Sequence, residues 1–317
     1  MGSKREEVII GTRGSKLALW QAKWVKSALK ELNPNITFKL KTIKTKGDKI
    51  LDVPLAKIGG KGLFVKDIED AMITGEIDLA VHSMKDVPMV LPEELHISAI
   101  CEREEPRDAF ISIKYNAFKE LAEGATVGTS SLRRASQLLN IRGDLKISQL
   151  RGNVDTRIRK LREGLYDAII LAAAGVKRLG LYNIVKELID TSISLPAVGQ
   201  GAIGIECRRD DLYINGLTSK LNHIDSAICI RAERAFLRRL EGGCQIPIAA
   251  YATISDNLLR LEGLVGTVDG KRIIRDSISG KREHPETLGI ELAENLLERG
   301  ADKILSSIRE HQNRPLS

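Results

Sequence analysis

Two periods of apolar residues organise the chain. Val8-Ile9-Ile10 is a short apolar run of the kind that forms a buried strand. After Gly11-Thr12-Arg13-Gly14-Ser15, apolar residues recur at helical spacing: Leu17, Trp20, Trp24, Val25, Ala28 and Leu32. Asn33-Pro34 ends that helix and Ser15 is its expected N-cap. Phe38, Leu40 and Thr42 alternate with polar residues and predict a second strand. The cycle then returns. A helix is expected from about Phe64 to Thr74 and a strand over Asp78-Leu79-Ala80-Val81. Thr126-Val127-Gly128 is a strand end, followed by a helix through Leu138. Leu145 to Leu150 predicts a strand, followed by a helix with Arg157 near its start. Asp167 to Leu171 is another buried strand, leading to a helix with Lys177 and Arg178. Strands alternating with helices predict α/β units built on parallel sheets.

The last third has a different order. Ile203-Gly204-Ile205 predicts a strand and Asp225 to Leu240 a helix. Three β-like runs follow, Ala249–Ile254, Leu258–Val265 and Arg272–Ile278, with Gly266 to Gly270 as the turn between the last two. Thr287–Arg299 is an amphipathic run that Gly300 is expected to stop. Strands followed by a helix predict a small α+β domain. Two connections read as crossings between domains: the charged stretch Glu102 to Asp108, with Pro106, and the Pro/Gly stretch Ile193 to Gly201.

Length and composition change this picture little. The chain has 317 residues, 43% hydrophobic and 29% charged, an ordinary globular balance that suggests two or three domains. No apolar run approaches the ~20 residues of a membrane span, and Met1 to Glu7 lacks the apolar core of a secretory signal. The four cysteines, at 101, 207, 229 and 244, share no CxxC or CxxH spacing. That argues against a disulfide framework and a metal site, and for a cytoplasmic protein with free thiols. Charge is more informative. The net charge is +7, and from Thr126 to Arg162 nine Lys or Arg face only Asp144 and Asp155. One short region holds a surplus as large as the whole chain's, which predicts an anionic partner. No aromatic residue lies in that region, so a base-stacking platform for nucleic acid has little support.

Candidate chemistry collects where strands hand over to helices. Arg13 lies beside Ser15. Arg133 and Arg134 follow Thr129 and Ser131. Arg151 and Arg157 flank Asn153. Two arginines in a helix's first turn oppose the helix dipole unless an anion occupies the site. Guanidiniums, hydroxyls and backbone N–H groups together suit carboxylates or phosphates. No GxGxxG or Walker-type motif is present. Lys85 and Asp86 follow a predicted strand; in an extended segment they would point to opposite faces, at the strand end where open α/β sheets bind ligands. Thr45 to Gly62, with Lys57 and Lys61, reads either as a charged surface loop or as a basic lid. Leu240-Glu241-Gly242-Gly243-Cys244-Gln245-Ile246-Pro247 puts a thiol on a Gly-Gly turn. Gly242 as a left-handed helix cap beside an inert core thiol is one reading; a reactive thiol cleared for a bulky group is the other.

Taken in order, these motifs resemble the hydroxymethylbilane synthase (porphobilinogen deaminase) family. The resemblance rests on Gly11-Thr12-Arg13 with Leu17-Ala18-Leu19-Trp20-Gln21, on Lys57 to Phe64, and on Val81-His82-Ser83-Met84-Lys85-Asp86-Val87-Pro88. It continues through Gly128 to Arg134, Arg151 to Arg157, Leu195 to Gly201 and Glu241 to Cys244. It implies two doubly wound α/β lobes like those of type II periplasmic binding proteins, and a small α+β C-terminal domain. The implied division is 1–102 with 198–222, 103–197 and 223–317.

The resemblance further implies a dipyrromethane cofactor held on Cys244 through a thioether. Four porphobilinogen units are added to it head to tail, with loss of ammonia, and the linear tetrapyrrole hydroxymethylbilane is released. Asp86 is the implied catalytic acid group, stabilising positive charge that develops as ammonia leaves. Arg13, Ser15, Arg151, Arg157 and Arg178 are implied substrate partners. Lys85, Asp86, Thr129, Ser131, Arg133, Arg134 and Ser148 are implied cofactor partners. Lys57, Lys61 and Phe64 belong to the lid. No metal is implied, and the expectation is a cytoplasmic monomer binding porphobilinogen, with no nucleic acid or membrane partner. Two rivals are a two-lobed receptor for a small carboxylate and a nucleic-acid binder using the basic segment; the Gly-Gly-Cys loop argues for the enzyme.

Overall fold

The computed structural model describes residues 5–45, 65–242 and 246–313. The chain divides into two compact units, 1–104 with 201–227, and 105–200 with 228–317. In chain order the first segment holds β1 (Glu7–Thr12), α1 (Lys16–Leu32), β2 (Thr37–Thr42), α2 (Lys66–Ile73), β3 (Leu79–Ser83) and β4 (Leu95–Ile100). The next holds β5 (Asp108–Ser112), β6 (Thr126–Gly128), α3 (Leu132–Ile141), β7 (Lys146–Ser148) and α4 (Val154–Arg162). It ends with β8 (Ala168–Ala172), α5 (Ala173–Arg178) and β9 (Glu187–Ile189). Then come β10 (Ile203–Arg208), α6 (Leu212–Thr218) and α7 (Ile224–Arg239). The chain finishes with β11 (Ile248–Ser255), β12 (Leu258–Gly266), β13 (Ile273–Lys281), α8 (Pro285–Leu296) and α9 (Asp302–Asn313).

Each unit contains a five-stranded sheet of one topology. The orders are β2-β1-β3-β10-β4 and β7-β6-β8-β5-β9. In both, the first three strands are parallel and the fourth is antiparallel to its two neighbours. That fourth strand is the one formed just after the chain enters the unit: β5 follows the first crossing and β10 the second. Helices cover both faces of the first sheet because its strands alternate. Leu79 and Val81 of β3 pack with Val25 and Leu29 of α1, whereas Ala80 packs with Ile68 and Met72 of α2.

Helix α1 turns a different face inward from the one expected. Gln21, Ala22, Val25 and Leu29 are buried, whereas Trp24 and Leu32 are exposed. Burying Gln21 is allowed because its amide and the Ser83 hydroxyl hydrogen-bond to each other, at 2.9 Å from Nε2 to Oγ.

The C-terminal domain is a three-stranded antiparallel sheet, β11-β12-β13. Phe236 of α7 and Leu292 and Leu296 of α8 fill its core with Ala252, Leu259 and Leu261. Gly300 breaks the helical stretch as expected: it takes φ 96°, outside the helical region, and a separate helix, α9, begins at Asp302.

Candidate functional site

In the first unit, the ends of β1 and β3 and the start of α1 line a small open cleft. Arg13, Ser15, Gln21, His82, Ser83 and Asp86 line it. Ser15 caps α1, its Oγ accepting from the Ala18 N–H at 3.3 Å. The side chain of Thr12, fully buried behind it, donates to the Ala18 carbonyl at 3.2 Å. Together these fix the turn that carries Arg13.

Asp86 is held differently from the expectation. Met84–Asp86 is a single 3₁₀ turn rather than extended chain. Met84 is buried, and its N–H donates to the Ala202 carbonyl at 3.0 Å. Its sulfur occupies the space over Gly204, where a Cβ would lie 2.2 Å from Sδ. The turn is anchored by that thioether, so Lys85 stays half-buried while Asp86 is exposed to the cleft. No hydrogen bond or ion pair to a described residue occupies the Asp86 carboxylate.

Beneath the cleft lies a charged cluster that sequence reasoning missed. His82 Nε2 is 3.0 Å from Glu206 Oε2, with both side chains buried. Glu69 of α2 is also buried. Oε1 of Glu69 and Oε1 of Glu206 are sealed from water without a hydrogen-bond partner. Burial, then the charge of Glu206, pushes the Glu69 carboxyl up to about 7, with His82 opposing. The signal was present: an acid interrupts the apolar strand Ile203-Gly204-Ile205-Glu206-Cys207, and another sits between Ile68 and Ala71.

The second unit carries the arginine sites. Ser131 caps α3, accepting from the Arg134 N–H at 3.4 Å, and Thr129, 2% exposed, accepts from the Ser131 N–H at 3.2 Å. The Thr129 N–H donates to the Ser148 carbonyl at 3.0 Å. Arg133 and Arg134 are buried, and the anion their helix start calls for belongs to the chain itself. Asp108, fully buried, accepts from Arg133 Nη2 at 2.9 Å and from Arg134 Nη2 at 2.7 Å. Arg133 also donates to the Leu195 carbonyl at 2.6 Å, and Arg134 to the Ile170 carbonyl at 3.0 Å. Burial alone would raise the Asp108 pKa; the two guanidiniums overcome it and hold that carboxyl well below its ordinary range. One carboxylate against two guanidiniums leaves an excess positive charge, and Arg133 Nε is sealed without a partner.

Arg151, Gly152 and Asn153 form the turn before α4. Asn153 Oδ1 caps the helix by accepting from the Thr156 N–H at 3.0 Å. Arg157 Nε donates to the Gly152 carbonyl at 2.8 Å. Arg151, Arg157 and Arg178 are all half-buried, the last at the end of α5. Lys57, Lys61, Phe64 and Cys244 lie outside the described residues.

The helix before Cys244 can be described. Its left-handed residue is Glu241, with φ 50°, and not Gly242. The Gly242 N–H donates to the Leu237 carbonyl at 3.0 Å and the Glu241 N–H to Arg238 at 2.9 Å, a Schellman ending. Gly242 is needed for space: a Cβ there would lie 2.3 Å from Leu237 Cδ1 and 2.6 Å from Ile248 Cδ1. The other three cysteines are buried and outside any disulfide. Burial pushes the Cys207 thiol up to about 11. Among the described residues, no cluster of His, Cys, Asp and Glu could hold a metal. None of their helices is long and apolar enough to cross a membrane.

Residues 8–216 match the family profile described as "Porphobilinogen deaminase, dipyromethane cofactor binding domain", and residues 227–298 match that for "Porphobilinogen deaminase, C-terminal domain". The chain belongs to the porphobilinogen deaminase family. A porphobilinogen deaminase of Carboxydothermus hydrogenoformans is 55% identical over 309 residues, covering 98% of this chain and 99% of that protein. One of Trichlorobacter lovleyi is 56% identical over 303 residues, covering 96% and 97%. A nutrient binding protein from Burkholderia cenocepacia, solved with methionine, is far more distant: 14% identity over 66% of this chain and 89% of its own, with a TM-score of 0.42. The chain is thus a transferase of tetrapyrrole synthesis with a dipyrromethane cofactor.

Proposed function

We propose that the chain adds porphobilinogen units to a dipyrromethane tethered through Cys244, with Asp86 as the catalytic carboxylate and the arginines holding acetate and propionate groups. The observation that carries this reading is the anchored turn at Met84–Asp86, which presents, to a cleft also lined by Arg13 and Ser15, a carboxylate that no described residue pairs. As ammonia leaves, positive charge develops on the substrate. A fixed carboxylate stabilises that charge, and the anchored turn removes the cost of orienting it during the reaction. Arg13 and Ser15 supply donors suited to a substrate carboxylate.

The dipyrromethane supplies the primer to which new units are joined. Two observations support its fit to this chain. Asp108 offsets only one of two buried guanidiniums and leaves Arg133 Nε without a partner, so the pair keeps a positive charge and one donor toward a ligand carboxylate. Cys101, Cys207 and Cys229 lie in apolar cores, where a thiol is a poor nucleophile and a pyrrole has no room. Cys244 is therefore the tether in this reading. Thr129, Ser131, Ser148 and Lys85 complete the cofactor's polar partners. Arg151, Arg157 and Arg178 serve the added units, and Lys57, Lys61 and Phe64 the lid. The domain division is 1–102 with 198–222, 103–197 and 223–317. The protein acts as a cytoplasmic monomer without a nucleic-acid partner.

Asp86→Asn tests the central residue. The variant is expected to carry the pyrrole adduct by intact mass but to lose about 100-fold or more in kcat, the scale of a lost electrostatic contact at a charged transition state. Turnover near the unmodified rate would remove Asp86 from the mechanism.

A further inference from the structure

Each condensation removes two groups, and the Asp86 cleft must handle both. Ammonia departs with the electron pair of the C–N bond. The new C–C bond forms at the free α-carbon of a pyrrole, whose C–H bond then breaks, returning its electron pair to the ring. That proton needs an acceptor. An acceptor separate from Asp86 leaves that carboxylate ionised and facing the positive charge throughout the condensation.

His82 lines the same cleft as Asp86 and is held from behind. Its Nε2 pairs with Glu206 Oε2 at 3.0 Å, and no described residue hydrogen-bonds its other ring nitrogen, Nδ1. The pairing fixes the ring, and a buried carboxylate behind an imidazole stabilises the imidazolium that proton uptake creates. Strand register sets this geometry. Glu206 of β10 sits opposite Ala80 of β3, and Gly204 opposite His82, so both side chains emerge on the face covered by α2.

Resting on the assignment of the cleft to Asp86 chemistry, we propose that His82 is the proton acceptor of the condensation, oriented by Glu206 and with Glu69 closing the cluster. Glu69 faces Glu206 and His82, with Asp70 and Lys66 on its own helix. Its raised carboxyl holds a proton for part of the time near neutrality, which limits the negative charge beside Glu206. The proton taken at His82 Nδ1 passes to the departing ammonia or to water, so each cycle returns the imidazole to its starting state.

The test uses the purified holoprotein and the variants His82→Gln and Glu206→Gln, each shown by intact mass to carry its pyrrole adduct. One readout is kcat with porphobilinogen. The second needs no turnover: exchange of the attached pyrrole's free α-hydrogen in D₂O, followed by mass after N–H back-exchange. By microscopic reversibility, the group that removes this proton also returns one. General-base catalysis of this type contributes about 100-fold or more, so His82→Gln is expected to slow both by that order. Glu206→Gln should slow both by about tenfold or more while leaving KM unchanged. A folded His82→Gln variant that slows either readout less than tenfold overturns the proposal. If that variant does not fold, Glu206→Gln decides, and unchanged exchange overturns it. Loss of exchange in His82→Gln alongside normal turnover in Asp86→Asn would instead reject the Asp86 assignment.

Discussion

At the scale of single residues, the chemistry of the site is a matter of which charges are already paired. Asp86 presents a carboxylate that no described residue pairs, whereas Asp108 is spent holding Arg133 and Arg134. Asp108→Asn would leave two buried guanidiniums facing each other without their carboxylate. The expected cost is about 3–5 kcal/mol, the range for breaking a buried ion pair, read as a lower denaturant midpoint. A loss under about 0.5 kcal/mol, the scale of a neutral surface change, would contradict the pairing. The sign with pH follows from the lowered folded pKa. The contribution is complete above the ordinary carboxylate value of 3.8 and is lost as pH falls through the folded value.

The arginine pair also marks how far residue patterns reach. That Arg133 and Arg134 need an anion followed from the helix dipole. That the first such anion is Asp108 did not, because 25 residues separate Asp108 from Arg133 and only the β5–β8 pairing brings them together. His82, Glu69 and Glu206 were missed for the same reason. The acids break apolar patterns at 69 and 206, yet a partner 124 residues from His82 cannot be read from local spacing.

At the scale of elements, the strand–helix cycle was legible at the three arginine junctions. Ser15, Ser131 and Asn153 all hold the helix starts expected around the three arginine junctions. Other features had no such signal. Strand β5 begins at Asp108 inside a charged stretch, and Lys85-Asp86 folds as a 3₁₀ turn because Met84 is buried against Gly204. Gly242 gave a misleading signal: the left-handed residue is Glu241, and the glycine serves close packing.

Gly201 is the sharper constraint, where β10 begins. It takes φ 92°, and a Cβ would lie 2.3 Å from the Glu104 carbonyl oxygen. Gly201→Ala therefore combines backbone strain with a clash against main chain. About 2 kcal/mol or more of destabilisation is expected, measurable by urea unfolding. A variant as stable as the parent would show that this contact yields without cost.

At the scale of the whole molecule, one sheet topology serves both units, and each unit's antiparallel strand is the first it forms after the crossing. The chain passes between the two units at 104/105, 200/201 and 227/228. The first unit holds the Asp86 carboxylate in its own cleft, and the second holds the buried pair Arg133 and Arg134 with Asp108. The central claim of the proposed function is the tether at Cys244. Intact mass of the purified protein and of Cys244→Ser tests it most directly. The account predicts that the parent exceeds its sequence mass by two pyrrole units, while the folded variant has its sequence mass alone. The same pyrrole adduct on the variant would contradict it.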